Sequence, residues 1–236
     1  MISLDPAIIA IILFVSCLTV LVAGLPVAFT LGGVSVIFVV LFMGWDKLPI
    51  IAGSAFSLMT QIVLVAVPLF IFMAEILRGS GIAEALFVSV RRIFGGTPGG
   101  LAMGVILICT LIAAMSGVAA AGVLTMGILA LPIMLRLGYD KTMAIGPVMA
   151  GGSLGILIPP SVSFVFYGAL AKISVGRLFA GGMIPGLTLA LLYMVYIGIR
   201  CRLKPELGPP LPPEERVGWK EKITSLRGVV LPMLLI

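Results

Sequence analysis

Six stretches of this chain carry no Asp, Glu, Lys or Arg at all: residues 7–23, 27–43, 48–74, 98–135, 142–171 and 178–199. Each is close to, or longer than, the roughly 20 residues a helix needs to cross the hydrocarbon core of a bilayer. The whole chain is 61% hydrophobic and 10% charged, whereas soluble domains run near half apolar and a quarter charged. Too little polar surface is left to cover a globule in water, so the expected fold class is an all-α polytopic membrane protein with lipid bilayer around it.

The formal charge of +6 does not point to nucleic acid. The basic residues sit in connectors between apolar runs and form no patch with interleaved aromatics, so they read as topology signals. Histidine is absent, and Cys17, Cys109 and Cys201 are far apart. Disulfide frameworks, zinc sites and His-dependent catalysis are therefore unsupported. An intramembrane enzyme would need a nucleophile with an activating base, and neither a paired intramembrane Asp nor a Ser/Lys dyad is evident. The N-terminus has no basic n-region, so the first run is expected to be a retained span and not a signal peptide.

Gly24-Leu25-Pro26 joins the first two runs as a tight hairpin. Residues 48–77 begin with Ser54, Ser57, Thr60 and Gln61 before turning apolar, which predicts a tilted or broken element. In residues 78–96, Ile82, Ala85, Leu86, Val90 and Ile93 recur at helical spacing while Glu84, Arg91 and Arg92 fall off that stripe. Such a segment is an amphipathic helix on the membrane surface or an ordinary cytoplasmic connector.

Residues 98–135 are interrupted by the small-residue cluster 116–122, leaving arms of about 17 and 13 residues. These are short for full spans, so a re-entrant hairpin is expected. Residues 142–171 are expected to break at Gly151-Gly152-Ser153-Leu154-Gly155 and to be closed by Pro159-Pro160, since adjacent prolines remove two amide donors. A clean span over 178–199 leads to a polar, proline-rich loop, 200–227. The last run, 228–236, reads as the start of a further span, so the sequence is expected to be a fragment. Seven basic residues in 200–227 place that loop in the cytoplasm and the N-terminus outside. Counting back puts 78–96 and 136–141 inside and 46–47 outside; 172–177 also falls outside, although Lys172 and Arg177 run against the rule.

Lipid cannot satisfy backbone N–H and C=O groups, so irregular backbone at membrane depth persists only where protein or a polar cavity covers it. If the two breaks meet, their freed carbonyls and half-helix ends form a place for a cation and an anion together. Small-residue clusters equally serve close helix packing. The candidate ion and substrate residues are Ser116, Gly117, Val118, Gly152, Ser153, Leu154, Gly155, Ile158, Pro159, Pro160 and Ser161. A sodium ion would take the backbone carbonyls of Ser116, Gly152 and Gly155 and the hydroxyl of Ser161.

An ordered set of short motifs runs through most of the chain. It comprises Pro68-Leu69-Phe70-Ile71-Phe72-Met73, Ser80-Gly81-Ile82-Ala83, Pro98-Gly99-Gly100-Leu101-Ala102 and Leu137-Gly138-Tyr139-Asp140. It continues with Gly152-Ser153-Leu154-Gly155-Ile156-Leu157-Ile158-Pro159-Pro160-Ser161 and Ala180-Gly181-Gly182-Met183-Ile184-Pro185-Gly186. In this set the chain resembles the large membrane subunit of tripartite ATP-independent periplasmic (TRAP) transporters. The resemblance implies the first inverted repeat of an elevator-type ion transporter, with a re-entrant helical hairpin and a discontinuous transmembrane helix. It implies no bound cofactor other than sodium as coupling ion, an organic acid anion as substrate, and two partners: a small four-span membrane subunit and a periplasmic substrate-binding protein. Residues 1–97 would hold scaffold spans and an interfacial arm helix, 98–171 the transport elements, and 172–236 a further span, the cytoplasmic loop and the next span's start. Many members of that family carry a serine-rich hairpin tip, whereas here Ser116-Gly117 is followed by Val118 and alanines, so an ion would rely more on carbonyls. A sodium/dicarboxylate-type carrier that needs no binding protein remains the alternative.

Overall fold

The computed structural model describes residues 5–212, and these are helical with no strand among them. The chain separates into two compact units, Met1–Gln61 and Ile62–Ile236.

In the first unit, α1 (Pro6–Val22) starts where the Asp5 carboxylate accepts the Ala7 amide at 2.9 Å, with Pro6 in the first turn where its missing N–H costs nothing. Helix α2 (Val27–Phe38) runs on as a π-turn, Val39–Met43, and stops at Gly44, whose φ of 92° ends the helical path. A 3-10 turn, Trp45–Lys47, leads into α3 (Leu48–Met59). Thr60 and Gln61 then leave the helix before a new 3-10 turn begins at Ile62, so of the two readings of the run 48–77, tilted or broken, the structure has the broken one. Only Thr30 and Val34 are buried among this unit's described residues. Its helices show apolar side chains outward all round, the surface expected of helices solvated by lipid or covered by other protein.

The second unit begins with the turn Ile62–Val65 and α4 (Ala66–Gly79), then α5 (Ile82–Phe94) and α6 (Gly100–Ser116). Helix α6 is the core, with thirteen of its residues buried. Helix α5 lies antiparallel along it: Val90 meets Gly104, and Leu86 shares a small cavity with Ile112 and Met115. The apolar stripe differs from the expected one, because Ala83, Leu86, Phe87 and Val90 are buried and Ala85 is exposed. Packing on α6 selected the face that carries the bulky Phe87. That face is therefore covered by protein, and Arg78 lies near Ser116 and Thr125 at the far end of α6, away from the Gly95–Gly99 turn.

Two further boundaries differ from expectation. After the turn at Gly117–Val118 the chain returns through α7 (Ala119–Leu129) and α8 (Leu131–Arg136). The small residues Ala119–Gly122 are already helical and Pro132 falls in the first turn of α8, where its missing N–H is tolerated, so the return arm spans 18 residues instead of about 13. By length and composition that arm is membrane-sized, and arm length does not mark the hairpin as re-entrant. Next, α9 (Lys141–Leu157) is capped by Asp140, whose carboxylate accepts the amides of Thr142 and Met143 at 2.9 and 3.2 Å. This helix passes straight through Gly151–Gly155, so those glycines do not break it; only residues 158–161 do, before α10 (Val162–Ala171).

Helix α11 (Val175–Leu203) has 29 residues and extends the expected span at both ends, taking in Arg200 and Arg202, whose charges suit a helix C-terminus. The chain after it folds back. Gly208 O accepts the Gly99 amide at 2.8 Å, Leu207 O the Asp140 amide at 3.1 Å, and Gly95 O the Leu211 amide at 2.7 Å. Leu211 at the end of this strap and Tyr139 under it are buried, and burial pushes the Tyr139 phenol up to about 12. The connectors around 95–99, 137–140 and 204–211 therefore share one end of the unit, as the charge pattern expects of the last two. The rest of the polar loop and the run 228–236 lie outside the described residues.

Candidate functional site

The hairpin tip is a helix C-terminus meeting a helix N-terminus. Gly117 ends α6 with φ 66°, a left-handed conformation that favours glycine, and its amide still reaches Ala113 O at 2.9 Å. A Cβ at Gly117 would also strike the Pro160 carbonyl. Val118 is extended (φ −122°, ψ 117°), and α7 begins after it. The second break has the same construction: Ile158 turns extended after α9, the Pro159–Pro160 bond is cis, and Ser161 (φ −123°, ψ 124°) precedes α10. The Val162 amide donates to Gly117 O at 3.2 Å, which ties the two breaks together.

Four helix ends thus converge: the carbonyl ends of α6 and α9 and the amide ends of α7 and α10. Helix ends leave backbone groups without intrahelical partners and carry partial charges, negative at carbonyl ends and positive at amide ends. The geometry brings together seven of the expected residues, Ser116, Gly117, Val118, Ile158, Pro159, Pro160 and Ser161. Both serines are buried. Ser161 donates to Ile156 O at 2.6 Å and Ser116 to Ile112 O at 2.7 Å, so each hydroxyl spends its proton locally; Ser116 Oγ also accepts the Val118 amide at 3.5 Å, which leaves it one lone pair for a cation.

The α9 residues divide differently. Helical bonding directs the Gly152 carbonyl to the Ile156 amide. The corresponding partner of the Gly155 carbonyl is Pro159, which has no N–H. Gly155 and Ser116 therefore offer free carbonyl ends and Gly152 does not. Leu154 is fully buried core, and Ser153 is exposed with its hydroxyl bonded to Ala150 O at 2.7 Å, so neither joins the cluster. The glycines of α9 are an interface. A Cβ on Gly151 would sit 2.7 Å from Cys109 Cβ, one on Gly155 2.9 Å from the Ala119 backbone, and one on Gly152 inside Val123. Their spacing lets α9 press backbone against the hairpin, as small-xxx-small patterns do.

Sequence reasoning did not assign Gly182 and Gly186 of α11 to this place. Added Cβ atoms there would lie 2.7 Å from Leu157 O and 2.7 Å from Ile158 Cγ1, so α11 closes against the second break. Their i, i+4 spacing was the available signal. Among the described residues no group of three His, Cys, Asp or Glu could hold a metal. Any ion here would be one suited to carbonyl and hydroxyl oxygens.

This is a polytopic helical membrane protein in which a hairpin and an interrupted helix meet at their breaks. Residues 14–236 match the family described as "Tripartite ATP-independent periplasmic transporter, DctM component", and the chain belongs to that family. It is 33% identical over 229 residues to the C4-dicarboxylate TRAP transporter large permease protein DctM of Vibrio cholerae serotype O1, covering 95% of this chain and 49% of that protein. It is 36% identical over 203 residues to the protein of the same name from Pseudomonas aeruginosa, covering 86% and 46%. To the isethionate TRAP transporter permease protein DctMQ of Oleidesulfovibrio alaskensis it is 35% identical over 176 residues, 75% of this chain and 28% of that protein. The chain thus spans about half the length of the two DctM relatives and corresponds to their N-terminal half. It is a multi-pass protein of the bacterial inner membrane, in a family of transport proteins and not of enzymes.

Proposed function

We propose that this chain is the first half of the membrane permease of a sodium-coupled importer of small organic acid anions. The observation that carries the reading is the bonded meeting of two helix breaks, Gly117–Val118 with residues 158–161, at four oppositely polarised helix ends. Carbonyls of Ser116 and Gly155 and the Ser161 hydroxyl contribute oxygens to the cation, and the amide ends of α7 and α10 favour the anion. The hairpin α6–α8 is re-entrant: its tip meets α9 at the break, and α10 continues ten residues beyond it. Residues 98–171 would move as the elevator part.

A periplasmic binding protein delivers the anion, and a small membrane subunit completes the permease. The name DctMQ of the isethionate relative supports a second membrane component, and the DctM relatives make a C4-dicarboxylate the first substrate to try. No catalytic step is involved.

The test is uptake of labelled succinate, and of isethionate in parallel, by proteoliposomes holding the full-length permease and its small subunit. An inward sodium gradient and the binding protein should both be required. Equal uptake on a proton or potassium gradient would remove sodium from the scheme. Equal uptake without the binding protein would favour the sodium/dicarboxylate-type carrier.

A further inference from the structure

A cavity of about 350 Å³ opens between α9 and α11, above Ile106 of α6 and at the opposite end of α9 from the break at residues 158–161. Its floor is apolar, with Ile106, Met143, Pro147 and Ile197 buried. Two sequence features shape it. Pro147 inside α9 removes the amide that would bond the Met143 carbonyl, and such a gap bends a helix and leaves an acceptor free. Gly146 carries no side chain, and a Cβ there would meet nothing within 4 Å.

The mouth is charged with both signs. Arg200 and Asp140 line it together with Thr142, Tyr193 and Tyr196. The Arg200 guanidinium donates one hydrogen bond to the Tyr196 hydroxyl and lies over that ring, 5.7 Å from its centroid, which leaves its other donors free. Asp140 uses one carboxylate oxygen to cap α9. Neither forms an ion pair with any described residue, including each other. The mouth lies at the strap end of the unit, where Lys141, Arg200, Arg202 and Lys204 gather and which the charge pattern assigns to the cytoplasm.

We propose that this cavity is a binding site for a zwitterionic phospholipid of the phosphatidylethanolamine type. An apolar slot open at the helix surface takes an acyl chain. At its mouth Arg200 meets the phosphate, and the Asp140 carboxylate meets the ammonium group. A carboxylate in the same mouth disfavours headgroups that are purely anionic, because like charges at close range repel. The bound lipid would wedge α9 apart from α11 beside the bend at Pro147. This site is separate from the ion and anion site and stands without the sodium reading.

The experiment uses the full-length permease in detergent, delipidated and titrated with phosphatidylethanolamine, phosphatidylglycerol or cardiolipin, with bound lipid counted by native mass spectrometry. The wild type should hold one phosphatidylethanolamine in preference to the other two. Arg200→Gln should weaken that binding about tenfold, the size expected for one charge-assisted hydrogen bond. Asp140→Asn keeps the helix cap and should transfer the preference to phosphatidylglycerol. Gly146→Leu starts from a Cβ position with nothing within 4 Å and extends into the slot, so it should abolish the bound lipid while leaving thermal unfolding unchanged or slightly later. Equal binding of all three lipids with no response to the three variants would overturn the proposal. So would a full-length structure in which protein occupies the slot.

Discussion

The glycines of α2 and α3 and those of α9 are the same residue put to opposite uses. Around Gly32, Gly33 and Gly53 an added methyl would meet nothing within 4 Å, while around Gly151, Gly152 and Gly155 it would collide with the hairpin. The first set loosens helices that have open faces. The second lets α9 come within backbone distance of α6 and α7, and it holds the proline break against the hairpin tip. Glycine content therefore says little about flexibility here; what decides is whether another backbone occupies the space where Cβ would be.

The sharpest way to break this contrast is Gly155→Leu. Its side chain has nowhere to go but into Ala119 and Val118, at a cost of about 3 kcal/mol or more. Folded yield and thermal stability should both fall, and uptake with them; a variant of normal yield and normal uptake would show that α9 and the hairpin are not pressed together. Gly117→Ala should come next, losing about 1–2 kcal/mol to the left-handed backbone, with the Pro160 carbonyl in the way besides. Its melting temperature should drop measurably, and succinate uptake should fall further than stability alone accounts for.

A smaller change tests the cluster without crowding it. Ser161→Ala removes a hydroxyl that is fully buried and bonded to Ile156 O, costing about 1 kcal/mol of stability. If the oxygen is an ion ligand, the sodium concentration for half-maximal uptake should rise several-fold at unchanged saturating rate. An unaltered sodium curve would reduce Ser161 to a packing role. The smallest effect belongs to Gly32→Ala, which should leave uptake unchanged and stabilise α2 by about 0.5–1 kcal/mol, read as a slightly later unfolding transition.

Much of this was legible in the chain. The uncharged runs announced membrane helices, Gly24-Leu25-Pro26 a hairpin, residues 48–77 a tilted or broken element whose break the structure puts at Thr60-Gln61, and Pro159-Pro160 the end of α9. The tip at Ser116-Gly117 was also legible, although its return arm was read too short because the whole cluster 116–122 was counted as the interruption, whereas α7 already begins at Ala119. What could not be read was which carbonyls are free. The Gly155 carbonyl loses its donor to Pro159, while the Gly152 carbonyl stays in the helical ladder, and that distinction required knowing that the helix survives its glycines.

The sequence by itself determined the solvent, the helical class and the places where backbone hydrogen bonding must fail, because hydropathy and missing proline amides are local properties. Only the tertiary structure decided that Gly151–Gly155 stay helical, since each glycine costs about 1 kcal/mol in an isolated helix and close packing on α6 and α7 offsets that cost. It likewise decided that α5 buries Phe87 instead of Ala85, that residues 204–211 fold back over Tyr139, and that the two breaks touch. Each of those outcomes depends on which backbone comes near which, and no stretch of sequence carries that alone.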